Sequence, residues 1–224
     1  MTRILMVILL SLMMTPFMGA AYAGKKEKAE DLVVAAQAVV RDFAGDDLHT
    51  GFLENARNAK AIVVIPTSYR GGFLFGGSGG NAALLARGNA DRWSYPSFLR
   101  VGSLSFGFQA GGDVSEIILL VMTNRGKEQL LSTSVKLGAD LSVAAGPTGV
   151  GGKVQTSDVL AYSKSKGLFG SVSVEGVVLK TNHKWNKAYY GMEVTPLDII
   201  AFGKATNPHA VQLINAVTAI TQRR

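Results

Sequence analysis

Gly167-Leu168-Phe169-Gly170-Ser171-Val172-Ser173-Val174-Glu175-Gly176 is the stretch on which the fold reading turns. A glycine turn feeds a period-two pattern, with Val172 and Val174 on one face and Ser171, Ser173 and Glu175 on the other, the mark of a half-buried β-hairpin arm. Residues 153–163 and 169–181 both carry long strand patterns, and a hairpin through the Gly167 turn would pair them. Residues 103–110 alternate as cleanly: Leu104, Phe106, Phe108 and Ala110 point one way, and Ser103, Ser105, Gly107 and Gln109 the other. Ala61-Ile62-Val63-Val64-Ile65 is apolar on both faces, a buried strand expected to stop at Pro66. Residues 116–123 form a second buried strand, and residues 73–77 and 82–87 a pair of strands linked by glycines.

Helical spacing brackets these strands. Ala29, Leu32, Val33, Ala36, Val40 and Phe43 recur at i, i+3, i+4 within residues 24–43, which predicts an amphipathic helix. A short helix is expected over 51–60 and another over 126–137. Near the end, Asn207 is placed as N-cap and Pro208 at the first helical position, followed by an apolar stripe of Ala210, Leu213, Ile214, Val217 and Ile220. The helices do not alternate with the strands, which argues against a parallel α/β sheet. Glycine is frequent, 26 in 224 residues against a usual ~7%, and glycines within strand patterns imply bulges and tight bends. The reading is α+β: a single domain over residues 24–224, with a curved glycine-rich antiparallel sheet and N-terminal, central and C-terminal helices. No repeat, charge run or proline-rich linker divides it.

Residues 1–23 have the form of a signal peptide: Arg3, an apolar run over 4–14, and Ala21-Tyr22-Ala23 as an A-x-A cleavage site before Gly24. The apolar run is short of the about 20 residues that span a bilayer. The expectation is export to the periplasm or beyond. With 0 cysteines, there is no disulfide, thiolate metal site or lipoprotein-type acylated cysteine. The formal charge of +7 suits anionic lipid or an acidic polymer; in an exported protein, nucleic acid is the poor candidate.

Catalytic constellations are not found. Gly77-Ser78-Gly79-Gly80-Asn81-Ala82 matches G-x-G-x-x-A, but no acidic strand end follows at the distance a dinucleotide site needs, so a glycine-rich sheet turn is expected. Ser163-Lys164-Ser165-Lys166 matches S-x-x-K, with Lys180-Thr181-Asn182 beyond it. The S-x-x-K serine must open a helix, whereas Ser163 ends a strand pattern, which leaves an exported serine hydrolase as a remote alternative. His49, His183 and His209 are scattered without metal-ligand spacing, and Glu175 has no partner carboxylate for acid/base work. No cofactor and no metal are expected.

Basic residues do gather. Lys25, Lys26 and Lys28 precede the apolar stripe of the first helix, in which Leu32, Val33 and the basic Arg41 also lie. Lys164 and Lys166 flank one end of the proposed hairpin; Lys180, Lys184 and Lys187 surround Trp185 at the other. An indole among lysines suits a lipid headgroup interface, and an ordinary solvated patch around a core-capping indole reads equally well.

Beyond these patterns, an ordered series stands out: Asp91-Arg92-Trp93-Ser94-Tyr95-Pro96, Gly107-Phe108-Gln109-Ala110-Gly111, Ala144-Ala145-Gly146-Pro147-Thr148-Gly149, Tyr162-Ser163, the opening stretch, then Asn186 with Tyr189-Tyr190. In that order the set resembles the SYLF domain family over residues 32–203. Departures fall at Arg92, at Gly170-Ser171 after Phe169, and at Glu116 where the family has Asp; they bear on ligand preference rather than fold. The resemblance implies a non-enzymatic binding protein for anionic lipid (phosphoinositides in eukaryotic relatives, and actin in fungal ones). In a periplasm, phosphatidylglycerol, cardiolipin or lipid A would substitute. The helix over 24–43 then corresponds to the family's membrane-binding helix. The rival reading is an envelope structural or stress protein that contacts another protein.

Overall fold

Ala61 to Ile65 are each at most 1% exposed, so this strand is covered on both faces. Its alternate residues enter two different cores. Ile62 and Val64 join the helices in one cluster; Ala61, Val63 and Ile65 join a second cluster built from the sheet itself. A strand sandwiched in this way has no reason to alternate apolar and polar residues, which accounts for the unbroken apolar run.

The computed structural model describes residues 15–45, 50–71, 75–88, 92–106, 113–146, 157–165, 168–170 and 174–222. In chain order the elements are α1 (Thr15–Gly45), α2 (Thr50–Asn58), β1 (Ala61–Gly71), β2 (Phe75–Ala86), β3 (Ser97–Phe106), β4 (Asp113–Val121), α3 (Asn124–Leu130), β5 (Ser134–Lys136), β6 (Val143–Ala145), β7 (Val159–Ser165), β8 (Leu168–Gly170), β9 (Val178–Thr181), α4 (His183–Tyr190), α5 (Pro196–Ile200), a 3-10 turn (Pro208–Ala210) and α6 (Val211–Gln222). The sheet order is β5-β9-β3-β2-β1-β4-β7-β6, with β8 on β7. Every pairing between these strands is antiparallel except β6 with β7.

The sheet curls until its two ends share one interior. Val135 and Leu137 at the β5 end, and Leu141, Val143 and Val159 at the β6 end, belong to the same cluster as the inner faces of β1 to β4. A single short segment joins the ends, closed by a bridge between Leu137 and Leu141. Asp158 pins it. Its carboxylate accepts from Thr123 Oγ1 at 2.6 Å, from Ser142 Oγ at 2.9 Å and from the Ser142 N–H at 3.1 Å, and pairs with Arg125 at 3.0 Å. Burial works to raise the pKa of this carboxyl, but the hydrogen bonds and the guanidinium outweigh it and hold the group below the usual carboxylate range.

On the outer face lie α1, α2, α4 and α6. Ala29, Val33, Ala36, Val39, Val40 and Phe43 of α1 pack with Phe52 of α2 and Leu213, Val217 and Ile220 of α6 over Ile62, Leu85, Ile118 and Leu120. Tyr162 of β7 reaches into this layer. Its hydroxyl donates to the Gly51 carbonyl and accepts from Asn55 Nδ2, its ring meets Phe52 edge-on at 5.2 Å, and burial pushes the phenol up to about 12. A Cβ on Gly146 would sit 2.2 Å from the Cζ of that ring, so the glycine there is a packing requirement.

Several expectations need correction. β1 does not stop at Pro66 but runs to Gly71, with a register shift against both neighbours at the proline, where a residue without an N–H is tolerated. The glycines of 76–80 lie within β2, a continuous strand, rather than in a turn between two strands, so the G-x-G-x-x-A match is strand interior. Among the described residues the hairpin of the opening stretch pairs next to the turn, Ser163 opposite Gly170 and Ser165 opposite Leu168. Residues 169–181 are not one strand: Gly176 turns with φ of 78°, and β9 pairs with β3 and β5, with four strands between it and β7. The helix expected over 126–137 ends at Leu130 and gives way to β5. Residues 107–110, 153–156 and 171–173 lie outside the described residues. The α+β class and the Asn207–Pro208 start of the last helical segment stand as read, and the sheet is antiparallel except where β6 joins β7.

Candidate functional site

Trp185 owes its position to a helix that the strand patterns did not reveal. Asn182 caps α4, its side chain accepting from the Trp185 N–H, and Gly191 ends it in the left-handed conformation at φ of 73°. Asn186, fully buried, fastens the helix to β3 by accepting from the Phe98 N–H at 2.8 Å and donating to Ser97 Oγ at 3.3 Å. Tyr190 donates to the Pro96 carbonyl at 2.6 Å, and the Phe98 ring meets Tyr189 at 5.0 Å and Trp185 at 6.1 Å, both edge-on. The indole is thereby held half-buried against the flank of α1.

A cleft opens beside it, enclosing about 290 Å³. From α1 it receives Lys28, Asp31, Leu32 and Ala35, which share one helix flank by their i, i+3, i+4, i+7 spacing. The opposite wall is the β1 bulge with Pro66 and Thr67, and the facing stretch of β2 with Gly80 and Asn81. At Gly80 a Cβ would sit 2.5 Å from the Thr67 carbonyl oxygen, so only glycine lets the two strands close on each other at the bulge. Lys28 and Asp31 are both exposed, and among the described residues neither forms an ion pair.

The structure thus brings Lys28 and Leu32 of the first helix together with Trp185, which the sequence places more than a hundred residues away. Lys25 and Lys26 lie a turn before them, Lys26 in an i,i+4 pair with Glu30 at 3.7 Å. Lys180 and Lys184 are exposed; Lys187 is exposed and paired with Glu193 at 2.6 Å, and Arg41 is exposed near the end of α1.

Two expected lipid contacts are corrected. Val33 is 1% exposed and packs in the helix–sheet core with Val40 and Phe43, so that stripe cannot face a membrane while α1 is docked. Lys164 is buried, its ammonium held by Asp42 and facing Glu116 across the β4–β7 ladder. Glu116 is in turn raised above the usual carboxylate pKa, by burial first and by Asp42 second, with Lys164 opposing. Lys166 lies outside the described residues. Asp31, Pro66, Thr67 and Asn81 were not singled out from sequence. The flank spacing of Lys28, Asp31, Leu32 and Ala35 was visible there, but the strand bulge opposite was not.

For catalysis, Ser163 is buried within β7, not at a helix start. Among the described residues no three metal-ligating side chains gather, and no helix is long and apolar enough to cross a membrane.

Residues 102–220 match the Ysc84 family, described as Las17-binding protein actin regulator. The chain is 31% identical over 172 residues to the human SH3 domain-containing YSC84-like protein 1, covering 74% of this chain and 50% of that protein. It is 32% identical over 163 residues to LAS seventeen-binding protein 3 of Saccharomyces cerevisiae, covering 69% of this chain and 35% of that one. The chain therefore spans half or less of the length of these relatives.

Proposed function

This chain belongs to the Ysc84, or SYLF, family, and on that premise we propose that it is a non-enzymatic protein that binds phospholipid headgroups at a membrane surface. The observation that carries the reading is the cleft where a cation, an aliphatic side chain and an indole converge from α1 and α4. Lysines beside an amphipathic indole are the chemistry of a headgroup interface. Lys25, Lys26 and Lys28 supply attraction to an anionic surface, about 1 kcal/mol each and decaying over a Debye length of ~8 Å; Glu27, Glu30 and Asp31 reduce it.

The protein acts in the bacterial periplasm or cell envelope, after removal of residues 1–23. Among the described side chains of α1 the buried ones begin at Ala29, so cleavage before Gly24 would leave the packing of this helix intact. Intact-mass measurement on protein from the envelope fraction should give a chain beginning at Gly24; a chain retaining Met1 to Ala23 would mean an anchored protein instead.

Co-flotation decides the lipid reading. Binding should rise from phosphatidylcholine vesicles to vesicles containing phosphatidylglycerol, and fall as salt is added. Equal binding to both, or none to either at low salt, would favour a second reading, a scaffold that contacts another protein. Leu197 in α5 and Phe202 just after it, 42% and 61% exposed, give that reading a surface, and the family description Las17-binding supports it.

A further inference from the structure

We propose that the cleft between α1 and α4 selects a zwitterionic phosphoethanolamine headgroup, with Lys28 on the phosphate and Asp31 on the ammonium. The proposal rests on the lipid-surface reading above and names the ligand class of the same cleft.

The cleft carries one charge of each sign. Lys28 and Asp31 stand three residues apart on one flank of α1, where side chains are rooted about 5–6 Å from each other, a separation that a two-carbon phosphate–amine linker spans. Both are exposed, and no ion pair of either is found among the described residues. Of the other exposed lysines near α4, Lys187 is paired with Glu193 and Lys204 with Asp198, while Lys180 and Lys184 do not line the cleft. A purely anionic headgroup would meet Lys28 favourably but would set its phosphate against the Asp31 carboxylate. A zwitterion answers both charges.

The remaining lining distinguishes a primary ammonium from a trimethylated one. A primary ammonium donates three hydrogen bonds, and Asn81 and Thr67, which line the cleft with Asp31, carry side-chain oxygens able to accept them. A trimethylammonium donates none and makes no use of such acceptors. Trp185 also lines the cleft, and an indole face attracts either kind of ammonium, so the discrimination falls to the hydrogen-bond acceptors. The volume, about 290 Å³, lies at the small end of ligand sites and holds a headgroup rather than an acyl chain.

The test uses the full chain as its cells process it, and three vesicle types: phosphatidylcholine alone, phosphatidylcholine with phosphatidylethanolamine, and phosphatidylcholine with phosphatidylglycerol. Vesicles with phosphatidylethanolamine should bind about tenfold more tightly than phosphatidylcholine alone, the worth of a charge-assisted hydrogen bond. Asp31→Asn should abolish that preference and strengthen binding to phosphatidylglycerol, while Lys28→Gln weakens binding to both. Soluble O-phosphoethanolamine should compete for the protein. Both variants lie on the exposed flank, and a thermal melt confirms that each folds. Phosphatidylethanolamine binding no better than phosphatidylcholine, or a preference that survives Asp31→Asn, overturns the headgroup assignment; if phosphatidylglycerol still binds, the lipid-surface reading stands. Binding to soluble phosphoethanolamine without binding to its vesicles overturns the lipid source. No binding to any vesicle at low salt overturns both readings.

Discussion

Asp158 and Asp31 are both carboxylates beside a basic side chain, yet they occupy opposite kinds of place. Asp158 is 6% exposed and its two oxygens take hydrogen bonds from Thr123, Ser142 and Arg125, joining α3, the segment before β6 and the start of β7. Asp31 is exposed at a cleft with Lys28 one helical step away, and among the described residues neither has an ion-pair partner. The contrast follows from desolvation. A charge removed from water must be answered within the protein or the fold loses several kcal/mol. A charge left in water at the rim of a cleft costs almost nothing and stays available to a ligand. Where the curled sheet closes, its charges are used up in holding it; where α1 meets the β1 bulge, they are not.

The sharpest way to break this comparison is through the neutral packing on the closed side. Gly146→Ala should destabilise the fold by about 3 kcal/mol, because the new methyl overlaps a Tyr162 ring that Phe52, Asn55 and Gly51 hold in place. A melting temperature close to wild type would show that this side has slack. Next in size, Asp158→Asn should cost about 2 kcal/mol at neutral pH, because an amide N–H replaces one of two accepting oxygens and the charge facing Arg125 is lost. The folded-state pKa of Asp158 is depressed, so its contribution is present above the unfolded value of about 3.9 and is lost as pH falls through the folded one. Urea titrations of the two proteins should therefore converge below about pH 4, and a gap that stays constant with pH would detach the effect from the carboxylate's charge.

On the open side the expected effect is on binding, not stability. Lys28→Glu should reduce affinity for phosphatidylglycerol vesicles about tenfold while moving stability by no more than about 0.5 kcal/mol. A large loss of stability would mean that Lys28 supports the fold, which erases the distinction between the two regions. Glu116 tests the middle ground, being partly buried beside Lys164 and Asp42. Its pKa is raised, so ionisation opposes folding, and wild type recovers that stability only as pH falls below the folded value toward the unfolded ~4.3. Glu116→Gln should thus be slightly more stable than wild type at neutral pH, by under about 1 kcal/mol, with the difference vanishing below about pH 4. Destabilisation at neutral pH would instead make Glu116 a needed partner of Lys164.

The parts of the fold that were legible in the sequence are those where one element decides its own pattern. Ala61 to Ile65 could only be a buried strand, the stripe from Ala29 to Phe43 only an amphipathic helix, and Asn207-Pro208 only a helical start. The illegible parts depend on a neighbour. Pro66 stops a strand unless both flanking strands bulge around it, and β2 tolerates its glycines because Gly80 must clear the Thr67 carbonyl. Within the candidate site, Lys28, Leu32 and Trp185 were marked from sequence, but as members of separate patches. Val33 and Lys164 were marked as contacts although they are interior, since an apolar stripe reads alike whether it faces lipid or core, and a lysine reads alike whether water or Asp42 meets it.

What the amino-acid sequence determined by itself was the class of the fold, the family and the inventory of charged and aromatic side chains, because these follow from local periodicity and an ordered set of motifs. What only the tertiary structure decided was which of those side chains share a place. Desolvation and ion pairing depend on distance in space, and the curling of the sheet sets those distances: it buried Lys164 and Asp158 among partners and left Lys28, Asp31 and Trp185 together at an open cleft.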